Sequence, residues 1–245
     1  MSIKSGLNQR FYVHGNDLSG DVASITTAEG MFDEYDITDI TKVAHARILG
    51  QASGRMEWSS FFNDAAGQSH AVLSAMPLTD VVVTWLLGTA LGDPTFSLVS
   101  KLASAYAPTR ARDGSMDISA RAEGSAGAPL EEGVALTAAD DTFSSASSAT
   151  SIDQTAQTTL GATAVCHVLS IGSGTPTILI EDSANNSSWA TLLTFGAQAV
   201  NTGKRVTSTA TVDRYVRITT TGTFTDCVVV VTLRRGLTGD VVDLS

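Results

Sequence analysis

The sequence predicts an all-β fold in two domains, with one short helix in the first. Three observations predict it. Short runs of β-branched and aromatic residues recur along the chain, and Gly, Asn, Ser and Asp separate them as turn formers do. Two segments of the first half, Arg55–Phe61 and Ser115–Ala122, alternate apolar and polar residues at the period of a half-buried strand. A stretch of small polar residues from Ala138 to Gln157 then interrupts the pattern. Such residues bury too little apolar surface to hold a core, so residues 140–157 read as a flexible linker between domains 1–139 and 158–245.

In the first domain, Ser115–Ala122 sets Met116, Ile118 and Ala120 on one face of a strand. Phe96–Tyr106, delimited by Pro94 and Pro108, reads as another strand. The helix is expected over Ser69–Met76, where Val72, Leu73 and Met76 share a face, Ser69 serves as N-cap and Pro77 stops further winding. A valine-rich buried strand, Asp80–Leu87, follows it. The second domain carries six strand-like runs at Ala164–Ile171, Thr177–Glu181, Trp189–Phe195, Arg205–Thr211, Tyr215–Thr221 and Cys227–Arg234. Their spacing predicts an antiparallel sandwich, with turns at Gly172-Ser173-Gly174, Ala184-Asn185-Asn186, Asn201-Thr202-Gly203 and Thr221-Gly222-Thr223.

Composition narrows the function. The 245 residues are 43% hydrophobic and 16% charged, so the chain can build a packed core. Its net charge of −10 opposes phosphate, and the basic pairs Lys204-Arg205 and Arg234-Arg235 are too sparse to form a nucleic-acid stripe. Acid concentrates in the first domain, −7 against −3 for the remainder. The longest apolar run, Val81–Leu87, falls far below the roughly 20 residues of a membrane-spanning helix. The first residues lack the apolar run of a secretory signal, so a cytoplasmic product is expected, and Cys166 and Cys227 then read as buried thiols rather than a disulfide framework.

No catalytic, cofactor-binding or metal-binding residue stands out. His14, His45, His70 and His167 lie far apart in sequence, and none shows the close spacing of a common zinc site. Gly67-Gln68-Ser69-His70-Ala71 has alanine where a nucleophile elbow needs glycine. The acidic run Asp33–Asp39 lacks the glycine and oxygen spacing of a calcium loop and reads as a solvated loop or a face turned to a polyanion. A structural protein, not an enzyme, is the expectation.

The order of features in residues 10–137 resembles the tail tube proteins of long-tailed bacteriophages. The residues that carry this are Asp17-Leu18-Ser19-Gly20, Asp36-Ile37-Thr38-Asp39, Arg55–Phe62 after a glycine, the late strand Asp117–Ala120 and the closing Gly133–Leu136. Residues 160–235 resemble the β-sandwich modules appended to phage virion proteins, through Ile180–Trp189 and Arg214–Ile218, with Asn185 where aspartate is commoner. The resemblance implies a tail-tube-like sandwich or barrel domain and an outer module. It implies hexameric rings, self-assembled in the host cytoplasm and stacked into a virion tail, whose lumen conducts genomic DNA. Tape measure and terminator proteins would be its tail partners. The rival readings are a carbohydrate-binding protein using Trp189 and Tyr215 to stack on a host-surface glycan, a tail terminator and a capsid decoration protein.

Overall fold

The structure is a computed structural model and describes residues 6–75, 80–101 and 106–236. The expected helix end at Met76, its stop at Pro77 and residues 102–105 of the Phe96–Tyr106 strand lie outside the described residues. The fold is all-β with one short helix, as expected.

The first half builds two facing sheets. One holds β1 (Arg10–Val13), β2 (Asn16–Asp17), β5 (Val81–Leu86) and β6 (Pro94–Lys101). The other holds β3 (Val22–Asp36), β4 (Arg47–Phe61), β7 (Tyr106–Arg110) and β8 (Met116–Gly124). They join at one corner, where Ser100 and Lys101 pair with Gly124 and Glu123. Alternation sends Phe11, Val13, Val81, Val83 and Leu98 from the first sheet into a core shared with Met56, Trp58, Ile118, Ala120 and Ala122 from the second. The Phe11 and Trp58 rings meet there at 4.8 Å. Met116, expected on the same face as Ile118, is partly exposed at the strand's end.

Helix α1 (Ser69–Ser74) closes this core with Val72 and Leu73. Its N-cap is Gln68, not Ser69, and no side chain of its own caps it. The orphan donors are met from outside instead. Buried Asp21 accepts from the Ser69 amide at 2.8 Å and from Asn63 Nδ2 at 2.9 Å, while Ser69 Oγ donates to the Phe61 carbonyl at 2.6 Å.

The second half is the expected antiparallel sandwich. One layer comprises β10 (Thr142–Phe143), β12 (Ala162–Ser170), β16 (Thr202–Ser208) and β19 (Cys227–Arg235). The other comprises β11 (Ile152–Asp153), β14 (Thr177–Ser183), β15 (Ala190–Ala197) and β17 (Tyr215–Thr221). The six runs read from the sequence all appear, displaced by a few residues at their ends. Positive φ at Gly174, Asn186, Asn201 and Gly222 bears out the four turns. The first of them also pairs, because β13 (Ser173–Gly174) joins β18 (Phe224–Thr225). Cys166 and Cys227 are buried free thiols, and burial drives the Cys166 thiol well up and that of Cys227 to about 11.

Two expectations need correction. Residues 140–157 are not a free linker. Phe143 enters the sandwich core, Thr142 and Phe143 pair with Val228 and Cys227, and Ile152 and Asp153 pair with Val216 and Tyr215. Small polar residues satisfy a strand laid along an existing sheet, which their composition does not reveal. Nor are the halves separate bodies. Strand β9 (Glu131–Ala135) pairs with β6 on one side and β19 on the other, so one sheet runs through both.

The halves also pack face to face. Residues of β1, β5 and β6 that face away from their own core meet residues of β12 and β19 that face away from theirs, in small clusters such as Tyr12, Leu86, Ala135 and Val230, and Val82, Val99, Ala128 and Val165. The result is four sheet layers, with the two middle ones covered on both faces. That explains why β5 (VVVTWL) and β19 (CVVVVTLRR) read as continuous apolar runs.

Between the middle layers lies a polar seam. His14 and Gly15 take positive φ in a tight turn between β1 and β2. A Cβ on Gly15 would stand 2.4 Å from the Thr202 amide nitrogen, so only glycine lets this turn approach the second half. The Gly15 amide donates to His167 Nδ1 at 3.1 Å, which leaves Nε2 as the protonated nitrogen, donating to Thr84 Oγ1 at 2.8 Å. Thr84, Ser97 and Thr232 continue the chain at 3.0 and 3.3 Å. Beside it, Arg205 grips buried Glu131 through Nη2 at 2.7 Å and Nε at 3.1 Å.

Burial pushes the His167 pKa down to about 3 and lowers that of His14. A histidine kept neutral by folding charges first in the unfolded chain, so its stabilisation is complete above about pH 6.5 and is lost as pH falls toward 3. Thermal melts should therefore weaken progressively between pH 6.5 and 4, above the carboxylate window, and His167→Gln should flatten that slope. Removing Arg205 takes its bidentate partner away from the buried Glu131 carboxylate. Arg205→Leu should lower unfolding free energy by about 3–5 kcal/mol in a denaturant titration.

Candidate self-assembly surface

What the four layers leave uncovered is concentrated on the outermost sheet of the first half, in the order β3-β4-β8-β7. Among the described residues, β3 pairs only with β4, and β7 only with β8, so the sheet has two open edges. Both are irregular. Strand β3 shifts register against β4 between Val22 and Ser24 and between Ile25 and Thr27. In β7, the Ala111 amide bonds back to Ser115, and the antiparallel alternation then turns Pro108 outward, where its missing N–H faces the open edge.

The outer face of this sheet is hydrophilic. Register places Glu29, Arg55, Glu57, Arg121, Glu123 and Asp117 on it, four carboxylates against two guanidinium groups, among serines and threonines. Arg55 pairs with Glu29 and lies 3.7 Å from Glu57, and Arg121 pairs with Glu123 at 3.0 Å. Gly54 sits where β4 crosses the approach to β9, since a Cβ there would stand 2.5 Å from the Leu130 amide nitrogen.

Beyond Gly54 the hairpin of β3 and β4 leaves the body. Residues 31–36 and 47–53 pair only with each other, forming a ribbon roughly 20 Å long at the usual strand rise. Met31, Tyr35 and Ile48 are exposed on one face, Phe32 and Leu49 on the other, and Ile37, Ile40 and Val43 at the tip. Among the described residues, eight of the thirteen exposed large apolar side chains thus fall within nineteen positions of the chain. A two-stranded ribbon has little stability alone, and a concentration of exposed apolar residues marks a contact surface.

The ribbon is shaped by local bonds. Asp36 accepts from the Thr38 hydroxyl and Asp39 from that of Thr41, each also from the same residue's amide at 2.8 Å, and these bonds, the hydroxyl ones foremost, hold both carboxyls below the usual range. His45 meets Asp36 at 3.1 Å and Arg47 meets Glu34 at 3.4 Å. The acidic run Asp33–Asp39, expected as a solvated loop, is therefore the end of a strand and its turn. The sequence reading missed the apolar residues interleaved with it, although the repeated Asp-Ile-Thr at 36–38 and 39–41 was a legible sign of successive turns.

The other singled-out residues are dispersed. His70 contacts the Tyr106 hydroxyl and stacks on Phe62 at 4.4 Å, while His14 and His167 belong to the seam. Among the described residues, no group of three or more His, Cys, Asp or Glu gathers at metal-binding distance. Trp189 and Tyr215 lie outside the sandwich core, each with an arginine against its ring, Arg217 at 4.0 Å and Arg214 at 5.0 Å. Arg217 is held by Glu181 at 2.8 Å and Arg214 by Asp153 at 2.6 Å. Asn185 Oδ1 accepts from the Ser187 and Ser188 amides at 3.0 and 2.9 Å, so its carboxamide oxygen closes this turn.

No family model matches this chain, and no curated protein does. Among solved structures, the chain is similar to the Dit protein (gp 19.1) of phage SPP1, described as a paradigm of the hub adsorption apparatus in phages that infect Gram-positive bacteria. The match covers 93% of this chain and 99% of that one at 8% identity, with a TM-score of 0.33, a likeness too distant to speak for function.

The ribbon's amides have only each other as partners, whereas those of β12 and β19 are bonded on both sides. Hydrogen exchange in the isolated subunit should be fast at residues 31–53 and slow at 162–168 and 229–235, and the ribbon should slow sharply when copies associate. Equal ribbon exchange at low and high concentration would contradict a contact role.

Proposed function

We propose that this chain is a self-assembling structural subunit of a phage virion, acting as a tail tube protein rather than as an enzyme. The observation that carries the reading is the outermost sheet of the first half, open at both edges among the described residues and prolonged by a ribbon whose apolar side chains none of those residues covers. Joining the β3 edge of one copy to the β7 edge of the next would complete both ladders, and a closed ring of copies would leave no edge at all. The hexamer of the tail tube family is the ring we expect.

In such a ring one face of the joined sheets lines the lumen. The outer face of this sheet suits that position, because its carboxylates outnumber its arginines and would repel DNA phosphates instead of retaining them. The ribbon, reaching roughly 20 Å past the sheet, is long enough to engage a copy outside its own ring. The second half, on the far side of the four layers, would then face outward.

Negative-stain microscopy of concentrated protein tests this directly, with long tubes or stacked rings expected and a compact monomer at every concentration counting against it. Ile40→Asp combined with Val43→Asp alters two side chains that touch little else, so unfolding free energy should change by no more than about 0.5 kcal/mol. The same pair should abolish tubes. Assembly undiminished by these substitutions would remove the ribbon from the mechanism.

A further inference from the structure

The polar seam has more donor hydrogens than hydrogen-bonded contacts to take them. His167 Nε2 and the hydroxyls of Thr84, Ser97 and Thr232 bring four donor hydrogens to three contacts, so one hydrogen is left over whichever way the hydroxyls turn. The Gly15 amide fixes the histidine tautomer and makes Nε2 a donor, which runs the chain outward from His167 and leaves the spare hydrogen on Thr232. Thr232 is buried, and it lines a cavity of about 10 Å³ between β6, β9, β12 and β19.

Two more hydroxyls reach the same cavity. Thr95 and Thr163 are each 1% exposed, both line it, and neither Oγ1 has a hydrogen-bond partner among the described residues. Three buried threonines thus line, from three strands, a space of the size of one water molecule. Leaving such groups unmet forfeits their hydration with nothing in return, and a buried water characteristically makes about three hydrogen bonds.

We propose that one water molecule is a built-in component of the junction between the two halves, held by Thr95, Thr163 and Thr232. It accepts from Thr232 Oγ1, ending the chain that starts at the Gly15 amide, and it bonds to the hydroxyls of Thr95 and Thr163. A cation does not suit the site, since Arg234 lines the same cavity and the nearby Glu131 carboxylate is already engaged by Arg205. An apolar occupant would leave all three hydroxyls unmet. The water joins β6 of the first half to β12 and β19 of the second, so it belongs to the fold and does not depend on the proposed assembly.

A high-resolution crystal structure of the full chain tests this, with a single spherical density peak expected at hydrogen-bond distance from all three Oγ1 atoms. In solution, the Thr95 and Thr163 amides and methyls should show cross-relaxation to a long-lived water. Thr95→Val combined with Thr163→Val keeps the side-chain shape and removes two of the three partners, so both signals should vanish. If the wild-type density is empty and the hydroxyls turn to protein carbonyls, the proposal is overturned. A variant that retains the water signal overturns it too, and if the variant does not fold, the wild-type density decides alone.

Discussion

The fold depends on one constraint: the two middle sheet layers must be buried on both faces at once. Strands β5, β12 and β19 can meet it because their apolar runs have no solvent side to serve. On one face they supply the cores of their own halves, and on the other they meet each other. A face shared between two bodies cannot be wholly apolar and still specify register, and here the polar seam of His167, Thr84, Ser97 and Thr232 runs among small aliphatic side chains. A one-residue slip of any strand would point that set into the hydrocarbon cores.

The seam explains several local choices. Gly15 is required by the approach of its turn to Thr202, and its amide sets the tautomer of His167. Glu131 and Arg205 form a buried pair across the halves, tolerated because the contact is bidentate and both groups are fixed by neighbouring strands. Strand β9 stitches the sheet where Gly133 passes under Leu233, a crossing at which a Cβ would stand 2.5 Å from the carbonyl oxygen. The two halves are therefore one object in packing as well as in sheet connectivity.

The self-association surface is the complement of that interior. A chain that covers two layers completely leaves its outermost sheets to solvent, and the two outer sheets differ. The β11-β17-β14-β15 layer satisfies its exposed face internally, with Arg217 over Trp189 and Arg214 beside Tyr215, each arginine held by its own carboxylate. The β3-β4-β8-β7 layer does not, because its ribbon carries exposed apolar side chains on both faces. This asymmetry is the physical basis for assigning assembly to the first half.

By itself the sequence determined the strand content, six strands of the second half to within a few residues at their ends, the four turns that need positive φ, the short helix and the buried valine strand. These are local properties, set by side-chain alternation and by which residues tolerate a given backbone. Only the tertiary structure decided that residues 140–157 lie along a sheet, that Asp21 rather than Ser69 serves the helix, and that the two halves share strands through β9. It also decided the site: Phe32, Ile40, Val43 and Leu49 look like ordinary strand and loop residues until the hairpin is seen to outrun the body that would have buried them. The physical reason is that alternation specifies which faces of a strand differ, whereas burial depends on what the rest of the chain brings against each face.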